Sequence, residues 1–244
     1  MLKLYHYWSS TCSRRVRICL AEKKLDWVSH HVDILGQHEN LEDWYVKLNP
    51  NNVVPTLEHD GRIVIESNFI MEYLDDAFPD ISLRPANFWE RAQMRLWMDK
   101  FEHIIHTNVN KISYNRRIAP TMGKTPREVH LKNIMQVANL SRREEKLRRL
   151  DHGISKEEEA SAEARLTEVM NDMEVVLAKN AWLTGATFSL ADISMAPFIE
   201  RFEANKLERL VDWSVRPAIG DWWARLKARP SFDVAYSFKN PNAA

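Results

Sequence analysis

The hydrophobic pattern changes period once, at a proline-bearing stretch near residue 80, and that change limits the chain to two unlike domains. Before it, strand-like and helix-like segments alternate. Residues 2–7 (LKLYHY) alternate apolar and polar as a strand does, and residues 27–34 (WVSHHVDI) fit a second strand. Between them RRVRICLAEKK predicts a helix over residues 11–24, with Ser10 or Thr11 placed to cap it. Residues 40–47 fit a short helix. VVPTLEH and RIVIE flank Asp60-Gly61, a strong hairpin signal. Residues 66–78 (ESNFIMEYLDDAF) have helical spacing, and Pro79 ends that run because proline disfavours helix in the residue before it. The order β-α-β-α-β-β-α predicts a small α/β domain around one four-stranded sheet.

After the prolines at 79 and 85 every segment reads as helix. Trp89, Met94, Trp97, Phe101, Ile104 and Ile105 recur at helical spacing within 88–115. Residues 127–150 and 155–180 are charged and amphipathic. RREEKLRR (142–149) pairs opposite charges at i,i+3 and i,i+4, the signature of a solvated helix face. Residues 190–205 are apolar enough for a buried core helix, and 216–228 predict a last amphipathic helix. The predicted organisation is an α/β domain (1–79), a linker (80–88) and an all-α domain (89–244).

Several function classes fall away. Lys plus Arg number 34, as do Asp plus Glu, which argues against a dedicated nucleic-acid binder. No run of 18 apolar residues offers a membrane span. The opening MLKLYHYW lacks the layout of a signal peptide, so a cytoplasmic protein is expected. The six glycines never form G-x-G, which removes the dinucleotide fingerprint and the P-loop. Cys12 and Cys19, if on one helix, stand roughly 10 Å apart along its axis, too far for a disulfide. A structural zinc site would need more Cys or His at ligand spacing, and no resident metal is expected.

Three features carry chemistry. Ser9-Ser10-Thr11-Cys12-Ser13 lies at a strand-to-helix junction, where free amides and a partial positive charge stabilise anions, thiolates included. Its plain alternative is a helix cap. Val53-Val54-Pro55-Thr56 precedes a strand; with a cis Val54–Pro55 bond, the Val54 N–H and C=O could pair with a bound peptide. A trans proline at a strand edge is the alternative. Glu66-Ser67 opens the next helix, where Ser67 could receive a carboxylate and Glu66 an ammonium, or could simply cap.

In that order the three could hold a tripeptide, and here the chain resembles the cytosolic glutathione transferases. The resemblance rests on SSTCSRRVRICLAEK, LNPNNVVPTL, ESNFIMEYLDDAFP and TFSLADISMAPF and spans nearly the whole chain. The first block is most similar to the zeta class, whose S-S-x-C-x-W-R-V-R pattern becomes Ser9-Ser10-Thr11-Cys12-Ser13-Arg14-Arg15-Val16-Arg17 here, with Arg14 in place of Trp. The resemblance implies a thioredoxin-like N-terminal domain, an all-helical C-terminal domain, a homodimer and glutathione as cosubstrate. It implies that Ser10 donates to the glutathione sulfur, with Thr11 and Cys12 beside it. It implies that Val54 and the cis Pro55 hold the cysteinyl backbone, Glu66 and Ser67 the γ-glutamyl end, and Asn40 and Asn52 the glycyl end. Val53 departs from the Gln that often precedes the V-P pair, which removes one side-chain contact. Ser189-Leu190-Ala191-Asp192 matches the family's buried capping box, a folding element.

The energetics suffice without a metal. A thiol of pKa about 8.5 lowered by about 2 units needs roughly 2.7 kcal/mol of thiolate stabilisation. One charge-assisted hydrogen bond supplies about 1.5–3 kcal/mol and a helix terminus about 0.3–1 more. Cys12 could alternatively form a mixed disulfide with glutathione. His103 and His106, near Asp99 and Glu102, have the makings of a metal pair, but a cleft-lining helix is the expectation, with His106, Asn110 and Tyr114 bordering an electrophile pocket. Residues 116–160 are extra relative to a compact zeta member, and SLRPANFWERAQMR with that insertion is similar to the bacterial glutathione-dependent β-aryl etherases. The expected activity is thiolate attack on a hydrophobic, aromatic electrophile, by conjugation or ether cleavage, as in detoxification or aromatic-compound degradation. A zeta-type maleylacetoacetate isomerase or a non-catalytic interaction module are the alternatives.

Overall fold

A computed structural model describes residues 1–123 and 125–241; Lys124 of the expected insertion and the last three residues of the expected second domain lie outside the described residues. The first half builds β1 (Leu2–His6), α1 (Thr11–Glu22), β2 (Trp27–His31), a 3-10 turn (Glu39–Leu41), α2 (Asp43–Leu48), β3 (Thr56–His59), β4 (Arg62–Ile65) and α3 (Ser67–Ala77). The sheet order is β2-β1-β3-β4. β1 runs parallel to β2 and antiparallel to β3, and β3 pairs antiparallel with β4. Asp60 and Gly61 both take positive φ (49° and 77°), the backbone a two-residue hairpin turn requires. The strand expected over 27–34 stops at 31; Val32 still donates to the His6 carbonyl of β1 at 2.9 Å and is buried with Tyr5, Tyr7, Tyr45 and Val54. On the other face Leu2, Leu4 and Leu57 pack with Val16 and Leu20 of α1 and Ile70 and Leu74 of α3.

The second half is helical: α4 (Phe88–Lys100), α5 (Thr107–Ser113), α6 (Ala119–Met122), α7 (Arg127–Met135), α8 (Leu140–His152), α9 (Lys156–Leu177), α10 (Leu190–Ala204), α11 (Pro217–Lys227) and α12 (Pro230–Tyr236). The helix expected over 88–115 is a longer rod interrupted by two π-helical segments, Phe101–His106 and Tyr114–Ile118. The segment 127–150 divides into α7 and α8 around Val137, which is buried. α10 is the central helix: Ile193, Ala196, Phe198, Ile199 and Phe202 are fully buried among residues of α4, α5, α9 and α11.

The helix over 216–228 is not the last. α12 follows and packs on α1, joined by Arg229 and Ser231, which both hydrogen-bond the Glu22 carboxylate. Its proline start and short apolar set (Phe232, Ala235, Tyr236) give little periodicity, so tertiary packing decides it.

Candidate active site

The loop between β1 and α1 is held by two arginines, Arg17 of α1 and Arg201 of α10. Arg17 is buried; its Nη2 donates to the Trp8 carbonyl at 2.9 Å, its Nε to the Ala235 carbonyl of α12 at 2.9 Å, and its Nη1 contacts His6 Nδ1 at 3.0 Å. Burial lowers Arg17 to about 9, still charged at neutral pH. Arg201 of α10 donates to the Ser9 carbonyl at 2.7 Å. The Trp8 carbonyl is thereby fixed from α1 and the Ser9 carbonyl from the helical domain.

Ser10 caps α1: its Oγ accepts the Ser13 amide at 3.2 Å. Accepting with a lone pair leaves the hydroxyl proton free to donate outward. No acidic residue occupies the first turn, so the positive end of the helix is not offset. Thr11 is the first helical residue, and Cys12 follows, half-buried and free of any disulfide. Ser13 is buried, and its hydroxyl accepts the Tyr7 amide at 3.3 Å.

Cys12 begins a polar relay that crosses the domains. Its Sγ lies 3.9 Å from His106 Nε2. His106 Nδ1 lies 2.7 Å from Glu102 Oε1, and the other Glu102 oxygen accepts from Arg15 Nη1 at 2.7 Å. The same Arg15 nitrogen donates to Ser67 Oγ at 3.1 Å, and Arg15 Nε donates to the Ser194 carbonyl of α10 at 2.8 Å. Arg15 thus joins the N-termini of α1 and α3 to the rod. Burial alone would lower His106, but Cys12 and Glu102 raise it to about 10. Burial would raise Cys12 and Glu102, yet His106 and Arg15 hold the thiol below its ordinary value and the carboxyl far below its own. The sequence offered Glu102 only as a metal candidate and gave Arg15 no role; the partners of Arg15 lie 52 to 179 residues away, and no local pattern signals them.

The Val54–Pro55 peptide is cis. Among the described residues the Val54 amide and carbonyl have no partner. Glu66 has a φ of 66° and begins α3 without capping it through its side chain; its carboxylate accepts from Asn51 Nδ2 at 2.9 Å. Ser67 is buried, and its hydroxyl is taken by Arg15.

The remaining expectations are redistributed. Asn40 and Asn52 are buried and exchange bonds, each Nδ2 donating to the other's carbonyl (2.8 and 3.1 Å). Their amides lock the loop instead of facing outward. Asn110 is exposed one turn beyond His106 on the rod. Tyr114 turns into the helical domain: its hydroxyl donates to the Arg149 carbonyl at 2.7 Å, and it lines a cleft of about 410 Å³ with Met122, His130 and Leu150, apart from Cys12. His103 pairs with Asp99 on an exposed face while His106 faces Glu102, so the two histidines diverge. Among the described residues no group of three metal-ligating side chains gathers. The segment beyond 116 reaches back to the α/β domain, where the Ala138 amide donates to Asn52 Oδ1 and Arg142 to the Asn51 carbonyl, both at 3.3 Å.

Known proteins share this arrangement. The glutathione S-transferase N-terminal domain model matches residues 9–77, and the glutathione S-transferase C-terminal domain model matches residues 141–226. Protein LigF of Sphingobium sp. is 31% identical over 239 residues, covering 94% of this chain and 91% of that protein. A maleylacetoacetate isomerase of Dictyostelium discoideum is 44% identical over 98 residues, 39% of this chain and 44% of that one. The crystal structure of the beta-etherase LigF from Sphingobium superposes with a TM-score of 0.89 at 29% identity, covering 97% of this chain and 98% of that one.

Proposed function

The chain belongs to the glutathione S-transferase family, and on that premise we propose that a glutathione thiolate held by Ser10 displaces the oxygen of an aromatic ether. It is a glutathione transferase with glutathione as cosubstrate. The observation that carries the site assignment is Ser10: its oxygen is used once, as acceptor of the Ser13 amide, at a helix terminus with no acidic neighbour, and its proton is left for a sulfur. The unpartnered Val54 amide and carbonyl suit the cysteinyl backbone. The uncapped start of α3, with Glu66 beside it, suits the γ-glutamyl carboxylate and ammonium. Thr11 lines the same turn, and Cys12 stands beside it with its thiol held below the ordinary range by His106. Asn40 and Asn52 act by fixing the loop that carries Val54.

An aryl ether is the preferred electrophile because the structure of a named β-etherase superposes over 97% of this chain with a TM-score of 0.89, against 0.73 for a zeta-class maleyl pyruvate isomerase. Maleylacetoacetate isomerisation is the weaker reading; a thioether product formed one for one with glutathione consumed excludes it as the reaction observed. We place the protein in the cytoplasm, where free thiols such as Cys12 and Cys19 persist, and assign it to aromatic-compound degradation. We also propose a homodimer through α3 and α4. Arg95 and Glu72 tie these helices together at 2.7 Å, and Phe69, Phe88, Trp89 and Leu96 stand exposed on them.

The test is the ultraviolet thiolate absorbance of bound glutathione against pH, with Ser10→Ala as control. A thiolate at neutral pH that disappears in the variant is expected, with glutathione binding kept and turnover mostly lost. An unchanged thiolate in Ser10→Ala would move the role to Thr11 or Cys12, and no binding by the wild type would sink the assignment.

A further inference from the structure

His106 is built as a one-ended proton carrier. Its Nδ1 edge is committed to Glu102 at 2.7 Å, and Glu102 is held by Arg15, so the ring is fixed in orientation and tautomer from one side. Its Nε2 edge faces the first turn of α1, 3.9 Å from Cys12 Sγ, where no firm hydrogen bond detains it. The side chain is 27% exposed, so the ring is reachable from solvent. The groups facing it are Cys12 and Arg15 of α1, Glu102 of its own segment and the Phe198 ring of α10, 5.8 Å from the imidazole centroid. A π-helical turn carries both Glu102 and His106; such turns are often found at functional sites.

The ether reaction has a proton problem that Ser10 does not solve. The Ser10 hydroxyl is engaged with the sulfur, while the departing oxygen is a phenoxide whose conjugate acid has a pKa of about 10, a poor leaving group without a proton. We propose that His106 shuttles the proton of each turnover: starting as the imidazolium, it delivers its Nε2 proton to the phenol oxygen as that oxygen leaves, and the neutral imidazole then takes the proton of the next glutathione thiol. The inference rests on the aryl-ether reading above. The balance closes without any oxidant or reductant. The C–O bond breaks with its electron pair on oxygen, the C–S bond forms from the thiolate pair, and the thiol proton ends on the phenol. Glutathione plus aryl ether gives thioether plus phenol, and His106 returns to its starting state. Glu102 is the positioning residue: its carboxylate favours the imidazolium, and Arg15 keeps that carboxylate ionised.

The experiment measures kcat/KM for a series of aryl ethers that differ only in the acidity of the phenol released, for wild type, His106→Asn and Glu102→Gln. All three proteins are first checked for retention on immobilised glutathione. For His106→Asn the expected loss is about 100-fold or more on ethers of the least acidic phenols, the scale of general acid catalysis, shrinking steadily toward the most acidic. Glu102→Gln keeps a hydrogen bond to the ring but loses the charge, and should steepen the same dependence to a smaller degree. It also supplies the test if the histidine variant does not fold. A loss of equal size across the series, or none, overturns the shuttle while leaving ether cleavage in place. A wild-type enzyme that displaces chloride from chloronitrobenzenes but cleaves no ether overturns the aryl-ether reading and the shuttle with it.

Discussion

Ser10 and Cys12 are two residues apart on one helical turn, and different surroundings separate their chemistry. Ser10 meets a backbone amide and the open end of the helix. Cys12 meets an imidazole backed by a carboxylate and a guanidinium. Cys12 should therefore be alkylated by iodoacetamide with a pH midpoint below that of an ordinary thiol, and His106→Asn should move the midpoint upward. Cys19 should stay unreacted in the folded protein, because burial pushes its thiol far up and it has no solvent access. A Cys12 midpoint that does not respond to the histidine variant would show that the 3.9 Å contact carries no electrostatic coupling. The same pair makes stability depend on pH. Glu102 is depressed, so its contribution is complete above its ordinary value of 4.5 and is lost as pH falls toward its folded value. His106 is raised, so its contribution is complete below 6.5 and is lost as pH rises through about 10. The difference in urea stability between wild type and His106→Asn should be largest between pH 4.5 and 6.5 and should shrink toward pH 10. A difference that is flat with pH would contradict the ion pair. The serine, the valine-proline pair and the Glu66-Ser67 step were legible in sequence because each is a local feature of a helix start or strand start. The relay behind Cys12 was not, because Glu102 and Arg15 become meaningful only when two domains meet.

At the scale of elements, most of the α/β order follows from local signals: the Asp60-Gly61 turn, the proline after α3, and the two-residue alternation of β1. The failures have physical causes. Residues 88–115 read as one helix because a π turn keeps helical dihedrals and adds only one residue per turn, which shifts side-chain facing without breaking apolar spacing. Arg14, Arg15 and Arg17, three cations on one short helix, are all buried. Arg14 is paired with Glu200 and stacked on Tyr236, and Arg15 lies over Phe198. The capping box of α10 did follow from its sequence, and the structure raises its importance. Asp192 is fully buried and accepts from the Ser189 amide (2.9 Å) and hydroxyl (3.1 Å), the Leu183 amide (3.0 Å) and Trp222 Nε1 (2.8 Å). Asp192→Ala would strand several buried donors at about 1–3 kcal/mol each, partly relieved by water, so we expect a loss of roughly 3 kcal/mol or more in chemical unfolding. A loss below about 1 kcal/mol, the worth of an ordinary cap, would mean that the buried network contributes nothing beyond capping.

The whole molecule is organised so that the helical domain closes over the candidate thiol site from outside. Arg201 of α10, Glu102 and His106 of the rod, and the 138–142 segment all touch loops of the α/β domain around Ser9, Cys12 and Asn51-Asn52. The two domains therefore open the site only by breaking several bonds at once, and the face left without a partner lies elsewhere, on α3 and α4. There Phe69, Phe88, Trp89 and Leu96 are between 60% and 84% exposed, four large apolar side chains around the Arg95–Glu72 pair. Single exposed apolar residues are ordinary, but four on two adjoining helices form a patch that water disfavours. A second copy with the same patch would cover it symmetrically, as in most homodimers. Sedimentation should give twice the chain mass of 28.6 kDa at micromolar concentration. Phe69→Glu combined with Leu96→Glu should give a monomer, because each carboxylate would have to be buried unpaired at the interface. Neither residue touches Ser10, Cys12 or His106, so the monomer should still bind glutathione. A double variant that sediments as the wild-type dimer would place the interface on another face.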